Sequence, residues 1–227
     1  MSILIIKFLA VIIIGYLVGS IPFGVLIVRR FAKVDVRQYG SGKIGMTNVL
    51  RVAGKKAAAM VGLLDIVKGA LAVVAAWLLF SGQYWVVYGS LTWWLVRSAP
   101  AAAALAAMVG HIWPIFLKFH GGRGVATFFG GLVALSPAAA LFGGEIVVIA
   151  AGLTRFASIG SLAGSVAAYT ILVPLTLFNG FPVEYLLYAS IGAVIIILKH
   201  WDNIIRLVRG KERKLGEKAE KIASNST

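Results

Sequence analysis

Cysteine is missing from all 227 residues. That removes thiolate catalysis, disulfides and Cys-based metal sites, and leaves the redox compartment open. Acidic residues are scarce too, 8 against 22 Lys and Arg, for a formal net charge of +14. The few histidines, His111, His120 and His200, lack metal-ligand spacing and have no carboxylate cluster beside them, so no metal site and no cofactor is expected. A G-x-S-x-G nucleophile elbow is absent. So are the His-x-x-x-x-Asp pair of one large acyltransferase class and the D-x-x-D arrays of magnesium-dependent phospholipid alcohol transferases. What remains for chemistry is cations, backbone donors, hydroxyls and a histidine.

What the chain has in excess is oil. Hydrophobic residues make up 60% and the mean hydropathy is +0.92, beyond the soluble range. Apolar windows of about twenty residues, enough to cross a bilayer as helix, recur along the sequence. The expected architecture is all-α: a polytopic integral membrane protein in one domain, residues 1–227. Seven segments are expected, near 3–28, 57–80, 99–117, 125–136, 138–154, 159–178 and 184–199. The first is too long for a signal-peptide core. Residues 81–98, with Trp85, Trp93 and Trp94, read as an outer loop or interfacial segment.

Lys and Arg gather in regions 29–56, 118–127 and 199–212 and in a basic tail, 211–227. The positive-inside rule puts these on the cytoplasmic face, with the N-terminus outside and the C-terminus inside. The excess charge therefore calls for lipid, not nucleic acid, as partner. Small residues four apart, Gly15 with Gly19 and Gly160 with Gly164, suit close helix packing. Glu145 reads as a buried polar residue with a satisfied hydrogen bond.

Two glycine-rich stretches lie on that face. In YGSGKIGMTNVLR, residues 39–51, Gly40-x-Gly42-x-x-Gly45 matches a dinucleotide fingerprint as a string, but no βαβ unit surrounds it. It also fails as a P-loop, because Met46 stands where lysine is required. The shared physics survives: glycines let successive N–H groups turn toward an anion at a helix start. Ser41, Thr47 and Asn48 add neutral hydrogen-bonding groups, and Arg51 a guanidinium fork. HGGRGVAT repeats the recipe, with Gly121, Gly122 and Gly124 around Arg123. Two such cradles suggest two phosphate-bearing groups. Asp65 and Lys68, three apart inside a span, form either a structural pair or part of a substrate site. A transporter of a phosphorylated metabolite is the competing reading of these loops, and a purely structural scaffold a third. Residues on both faces would be expected of a transporter, whereas the outer face here is nearly uncharged.

Together GSGKIGMTNVLR, GHIWPIFLKFHGGRGVAT and KHWDNIIRL resemble the three cytoplasmic motifs of the PlsY family of bacterial acyl-phosphate:glycerol-3-phosphate acyltransferases. The likeness runs from GSIPFG through the basic tail. It implies transfer of a fatty acyl group from acyl phosphate to the 1-position of glycerol 3-phosphate, giving lysophosphatidate and phosphate, the first step of phospholipid synthesis. It also implies the bacterial cytoplasmic membrane and a functional link to the enzyme that makes acyl phosphate. Ser41, Gly42, Gly45, Thr47, Asn48 and Arg51 match the first motif. Gly121, Gly122, Arg123 and Gly124, preceded by His111, match the second; His200 and Asn203 match the third. Ser158 and Ser161 both fit a serine pair opening the next span. On this reading Arg51, Arg123 and Lys68 neutralise phosphates and Ser41 holds one of them. His200, fixed by Asn203, orients the glycerol hydroxyl or acts as base, unless the substrate phosphate takes the proton. The chain departs from the family pattern at Lys43, commonly Asn; at Met46, usually small; and at Arg123, often Lys.

Overall fold

Hydrogen bonds to water are unavailable in a bilayer core, so a chain this apolar must close its backbone within each segment. The computed structural model, which describes residues 2–82 and 90–222, does this with helices alone apart from one isolated bridge between Tyr39 and Lys221. In chain order they are α1 (Ser2–Ser20), α2 (Phe23–Ala32), α3 (Met46–Leu79), α4 (Leu91–Ile112), α5 (Val125–Leu135), α6 (Pro137–Thr154), α7 (Ala157–Asn179), α8 (Val183–Lys199) and α9 (Trp201–Val208). Among the described residues five helices are long and apolar enough to cross a membrane. The number is six if α8 and α9, bent by 55°, form one broken span. The expected segment near 125–136 is α5, only 11 residues long.

Several expected boundaries shift, each for a local reason. The first span is interrupted at Ile21-Pro22, because Pro22 cannot donate into the helix that precedes it. In α3, Gly54 adopts φ 79°, ψ −177°, so the element is two helices meeting at a glycine. The chain turns back there: a Cβ built on Gly62 would stand 2.6 Å from Met46 Sδ, although sixteen residues of straight helix would separate the two by about 24 Å. The part after Gly54 corresponds to the expected second span. Residues 91–98, read as loop, are the first turns of α4, started by Ser90 accepting from the Trp93 N–H. Arg97 reaches the buried Glu184 at 3.1 Å and lies over the Trp93 ring. The Trp85 expectation falls outside the described residues.

Close packing follows the small residues. Cβ atoms at Gly15 and Gly19 would meet the carbonyls of Ala103 and Ala107 on α4, and at Gly160 the carbonyl of Val147 on α6. The main core joins α4, α5, α7 and α8 around Met108, Phe128, Leu132, Leu172 and Ile196. The hydroxyl of Tyr188 on α8 donates to the Phe128 carbonyl at 2.9 Å, holding the short α5 in place. Glu145 corrects the sequence reading: it is exposed on the outward side of α6, not buried. The apolar residues around it allow a helix to present that face to lipid, and the i, i+3 pattern alone does not say which face that is.

Candidate active site

The polar regions are brought together by helix ends. Gly40 and Gly42 sit at φ 59° and 68°, and Gly45 caps α3. The loop they form is organised by Asn48, which is buried. Its Nδ2 donates to the carbonyls of Val36, Tyr39 and Lys43 at 3.3, 3.0 and 2.9 Å, and its Oδ1 accepts from the Ser41 N–H at 3.1 Å. Asn48 therefore shapes the loop that presents Ser41. Ser41 and Thr47 are half-buried beside it. Lys43 is exposed and enters the loop's hydrogen bonds through its carbonyl, while Met46 lies against Gly62.

The second loop folds directly on residue His111. The N–H groups of Gly121 and Gly122 donate to the carbonyls of Ile112 and His111, both at 3.1 Å. Gly124, at φ 87°, opens α5, whose first turn has no side-chain cap among the described residues. Arg123 lies between the glycines. Its Nε is buried and has no hydrogen-bond partner among the described residues; the same holds for Arg51 Nε and for Thr127 Oγ1. Burial first, and then the like charge of Arg206, bring the Arg123 guanidinium down to about 10, so it is a cation at neutral pH. The other charges acting on it are those of Glu212, Asp202 and Arg51, which places all three regions around one spot.

At the third region the bend between α8 and α9 carries His200 and Asn203, both buried. His200 Nδ1 lies 2.8 Å from the Ile196 carbonyl, which only accepts. Nδ1 therefore carries the ring proton and Nε2 the lone pair. Asn203 Nδ2 donates to Glu212 Oε1 at 2.6 Å while its Oδ1 has no partner among the described residues. Glu212 also accepts from Ser158 Oγ at 3.2 Å and pairs with Arg206 at 2.9 Å. That carboxylate, at the start of a tail read only as basic, ties α7 to α9. Of the serine pair, Ser158 is in this cluster; the Ser161 hydroxyl donates to its own helix, at the Ala157 carbonyl. The tail continues across the first loop, with Gly40 N–H bonded to the Glu220 carbonyl and Ile222 N–H to the Gln38 carbonyl. Arg51 Nη2 meets the Arg213 and Lys214 carbonyls, each at 3.3 Å.

Lys68 stands apart from these groups. It is 2% exposed and its ammonium is surrounded by Asp65, Ile21 and His111. Ser41, Arg51, Arg123, His200, Asn203 and Ser158 belong to the convergent cluster. Lys68 and His111 form its floor.

An all-helical integral membrane fold, with guanidinium Nε atoms that are buried and lack a partner among the described residues beside two glycine loops, defines a membrane protein with a cationic polar site. The chain belongs to the glycerol-3-phosphate acyltransferase family, whose model matches residues 9–210. It is 56% identical over 216 residues to "glycerol-3-phosphate acyltransferase 3" of Dehalococcoides mccartyi strain CBDB1, covering 95% of this chain and 99% of that one. To the glycerol-3-phosphate acyltransferase of Halalkalibacterium halodurans it is 41% identical over 207 residues, 91% of this chain and 94% of that one. Among solved structures it resembles PlsY (YgiH), an integral membrane glycerol 3-phosphate acyltransferase, in its glycerol 3-phosphate form. The TM-score is 0.78 at 33% identity, covering 92% of this chain and 96% of that one. The lysophosphatidic acid form of the same protein gives 0.76 at 32%, covering 91% and 94%.

Proposed function

We propose that this chain transfers a fatty acyl group from acyl phosphate to the 1-hydroxyl of glycerol 3-phosphate, releasing lysophosphatidate and inorganic phosphate. The observation that carries it is the pair of half-buried arginines, Arg51 and Arg123, each with a buried Nε that lacks a partner among the described residues. Such cations suit two phosphates held side by side. An acyl phosphate is a mixed anhydride with phosphate as its leaving group, so the site needs no enzyme nucleophile. It must orient the hydroxyl, stabilise the tetrahedral oxyanion and receive a proton. The hydroxyl oxygen bonds to the acyl carbon, the acyl carbon to phosphate oxygen bond breaks, and phosphate leaves with the electron pair. His200 offers an Nε2 lone pair for the hydroxyl hydrogen, as base or as aligning acceptor; in the second role the proton passes to the departing phosphate. Asn203, held by Glu212, orients the same substrate. The first loop, with Ser41, Gly42, Gly45 and Thr47, receives one phosphate beside Arg51. The second, with Gly121, Gly122 and Gly124, receives the phosphate of glycerol 3-phosphate beside Arg123.

The same reading extends to placement. Seven segments, with α5 the short one, put the N-terminus outside and the site at the cytoplasmic leaflet of the bacterial inner membrane. The basic loops and tail support this by the positive-inside rule. A donor that is itself an amphiphile then arrives from the leaflet or from the enzyme that makes it. Purified protein in lipid, given radiolabelled glycerol 3-phosphate and palmitoyl phosphate, palmitoyl-CoA or palmitoyl-acyl carrier protein, tests the donor. Lysophosphatidate formed from the acyl phosphate alone is expected, and equal product from a thioester would overturn the reading.

A further inference from the structure

Beneath the second glycine loop lies a buried set of charges. Asp65 and Lys68 are 1% and 2% exposed, and His111 is 3% exposed. Lys68 Nζ lies 2.8 Å from Asp65 Oδ1, an ion pair rather than an aligned hydrogen bond. It also donates to the Ile21 carbonyl at 3.1 Å and lies 3.0 Å from His111 Nδ1. An ammonium has three hydrogens and no lone pair. With a carboxylate, a carbonyl and an imidazole nitrogen around it, each hydrogen has one acceptor, provided that His111 Nδ1 bears its lone pair. The opposite tautomer would aim a ring N–H at the ammonium across 3.0 Å. Its alternative acceptor, Asp65 Oδ1, is farther at 3.4 Å.

His111 in turn supports the loop twice. Its carbonyl accepts the Gly122 N–H, and its ring edge occupies the space beside Gly122, where a Cβ would stand 2.0 Å from Nε2. A Cβ on Gly121 would stand 2.1 Å from the His111 carbonyl oxygen. Both glycines therefore pack on His111, with Ile112 and Pro114 beside it at Gly121. We propose that Asp65 is a positioning residue for acyl transfer: it holds Lys68, Lys68 fixes His111 as the Nε2–H tautomer, and His111 sets the Gly121–Gly124 phosphate loop. The chain of contacts also reaches Ile21, at the break between α1 and α2, so one ammonium joins that break to the loop. This inference rests on the reading of that loop as the cradle for the phosphate of glycerol 3-phosphate.

Its test has a direct and a kinetic part. Nitrogen NMR on the wild-type protein in lipid, labelled at its histidines and assigned by His111→Gln, reads the tautomer without any need for a variant to function. Nε2–H at His111 is expected, and Nδ1–H would overturn the proposal. In the kinetic part, Asp65→Asn raises KM for glycerol 3-phosphate by on the order of tenfold or more, with KM for the acyl donor little changed. Asp65→Glu recovers part of the loss. Gly122→Ala is the control on the underlying reading and is expected to raise the same KM. If Gly122→Ala raises it and the folded fraction of Asp65→Asn does not, the proposal fails and the cradle stands. If Gly122→Ala leaves it unchanged, the cradle itself fails and takes the proposal with it.

Discussion

Lys68 and Arg123 are both cations drawn away from water near the same loop, and they are held in opposite ways. Lys68 has a counter-charge and acceptors for its hydrogens. Arg123 has a buried Nε with no partner among the described residues, and a like charge, Arg206, among its neighbours. A buried ion that is fully paired belongs to the framework, since removing one member strands the other. A buried donor left without a partner costs stability, and the cost is recovered when an anion arrives. The difference separates cations that build the site from cations that meet substrate.

The comparison is sharpest when each member is removed. Lys68→Met leaves Asp65 charged inside the bundle, so a loss of about 3–5 kcal/mol in stability is expected. Thermal unfolding in detergent measures it. A Lys68→Met protein that unfolds like wild type would break the comparison, because the paired cation would then contribute nothing to the framework.

Arg123→Gln is expected to do the reverse. Removal of an electrostatic donor at a developing charge costs on the order of 100- to 1000-fold in kcat/KM. Its unfolding temperature should stay level or rise, because a buried Nε with no partner among the described residues has gone. Arg123→Lys keeps the charge but not the fork, and retains activity to within about tenfold. Steady-state kinetics beside a melting curve decides it: a fall in stability matching the fall in rate would place Arg123 with Lys68.

How much of this was legible in the sequence follows the same division. The all-helical membrane fold, the glycine loops and most of the cluster, Ser41, Arg51, Arg123, His200 and Asn203, could be read because each is a residue type with an evident task at a helix boundary. Hydropathy could not show that the chain reverses at Gly54, since a helix-breaking φ leaves no mark on an average. Nor could it show which face of α6 carries Glu145. Asn48 reads as a phosphate donor until its amide is seen to bind four backbone groups of its own loop. Glu212 has no local pattern that separates it from Glu217 and Glu220 in the same basic tail, and its meaning lies in Ser158, Asn203 and Arg206, which only the fold brings to it.

Glu212 supplies the intermediate case, a paired group that touches a group facing substrate. Glu212→Gln keeps the shape but weakens charged hydrogen bonds worth about 1.5–3 kcal/mol each. A fall of roughly tenfold in kcat, with a smaller loss of stability than Lys68→Met, is expected from frayed placement of Asn203. Equal kinetics in wild type and variant would show that Asn203 is oriented without it.

The smallest effects distinguish the two serines that sequence alone leaves equivalent. Ser158 is buried at the start of α7 and donates across to Glu212. Ser161, one turn on, donates only to the Ala157 carbonyl of its own helix. Loss of the first hydroxyl removes a bond between elements and leaves a carboxylate oxygen with one donor fewer, at a cost of about 1 kcal/mol or somewhat more. Loss of the second removes a local bond that competes with the helix ladder, which helices tolerate. Ser158→Ala should therefore reduce kcat/KM several-fold and Ser161→Ala leave it within experimental scatter, and the ratio of the two in one assay is the measurement. A larger loss at Ser161 would mean that its hydroxyl turns from the helix to the substrate during turnover, and the pairing seen in the free protein would then no longer identify which hydroxyl the reaction uses.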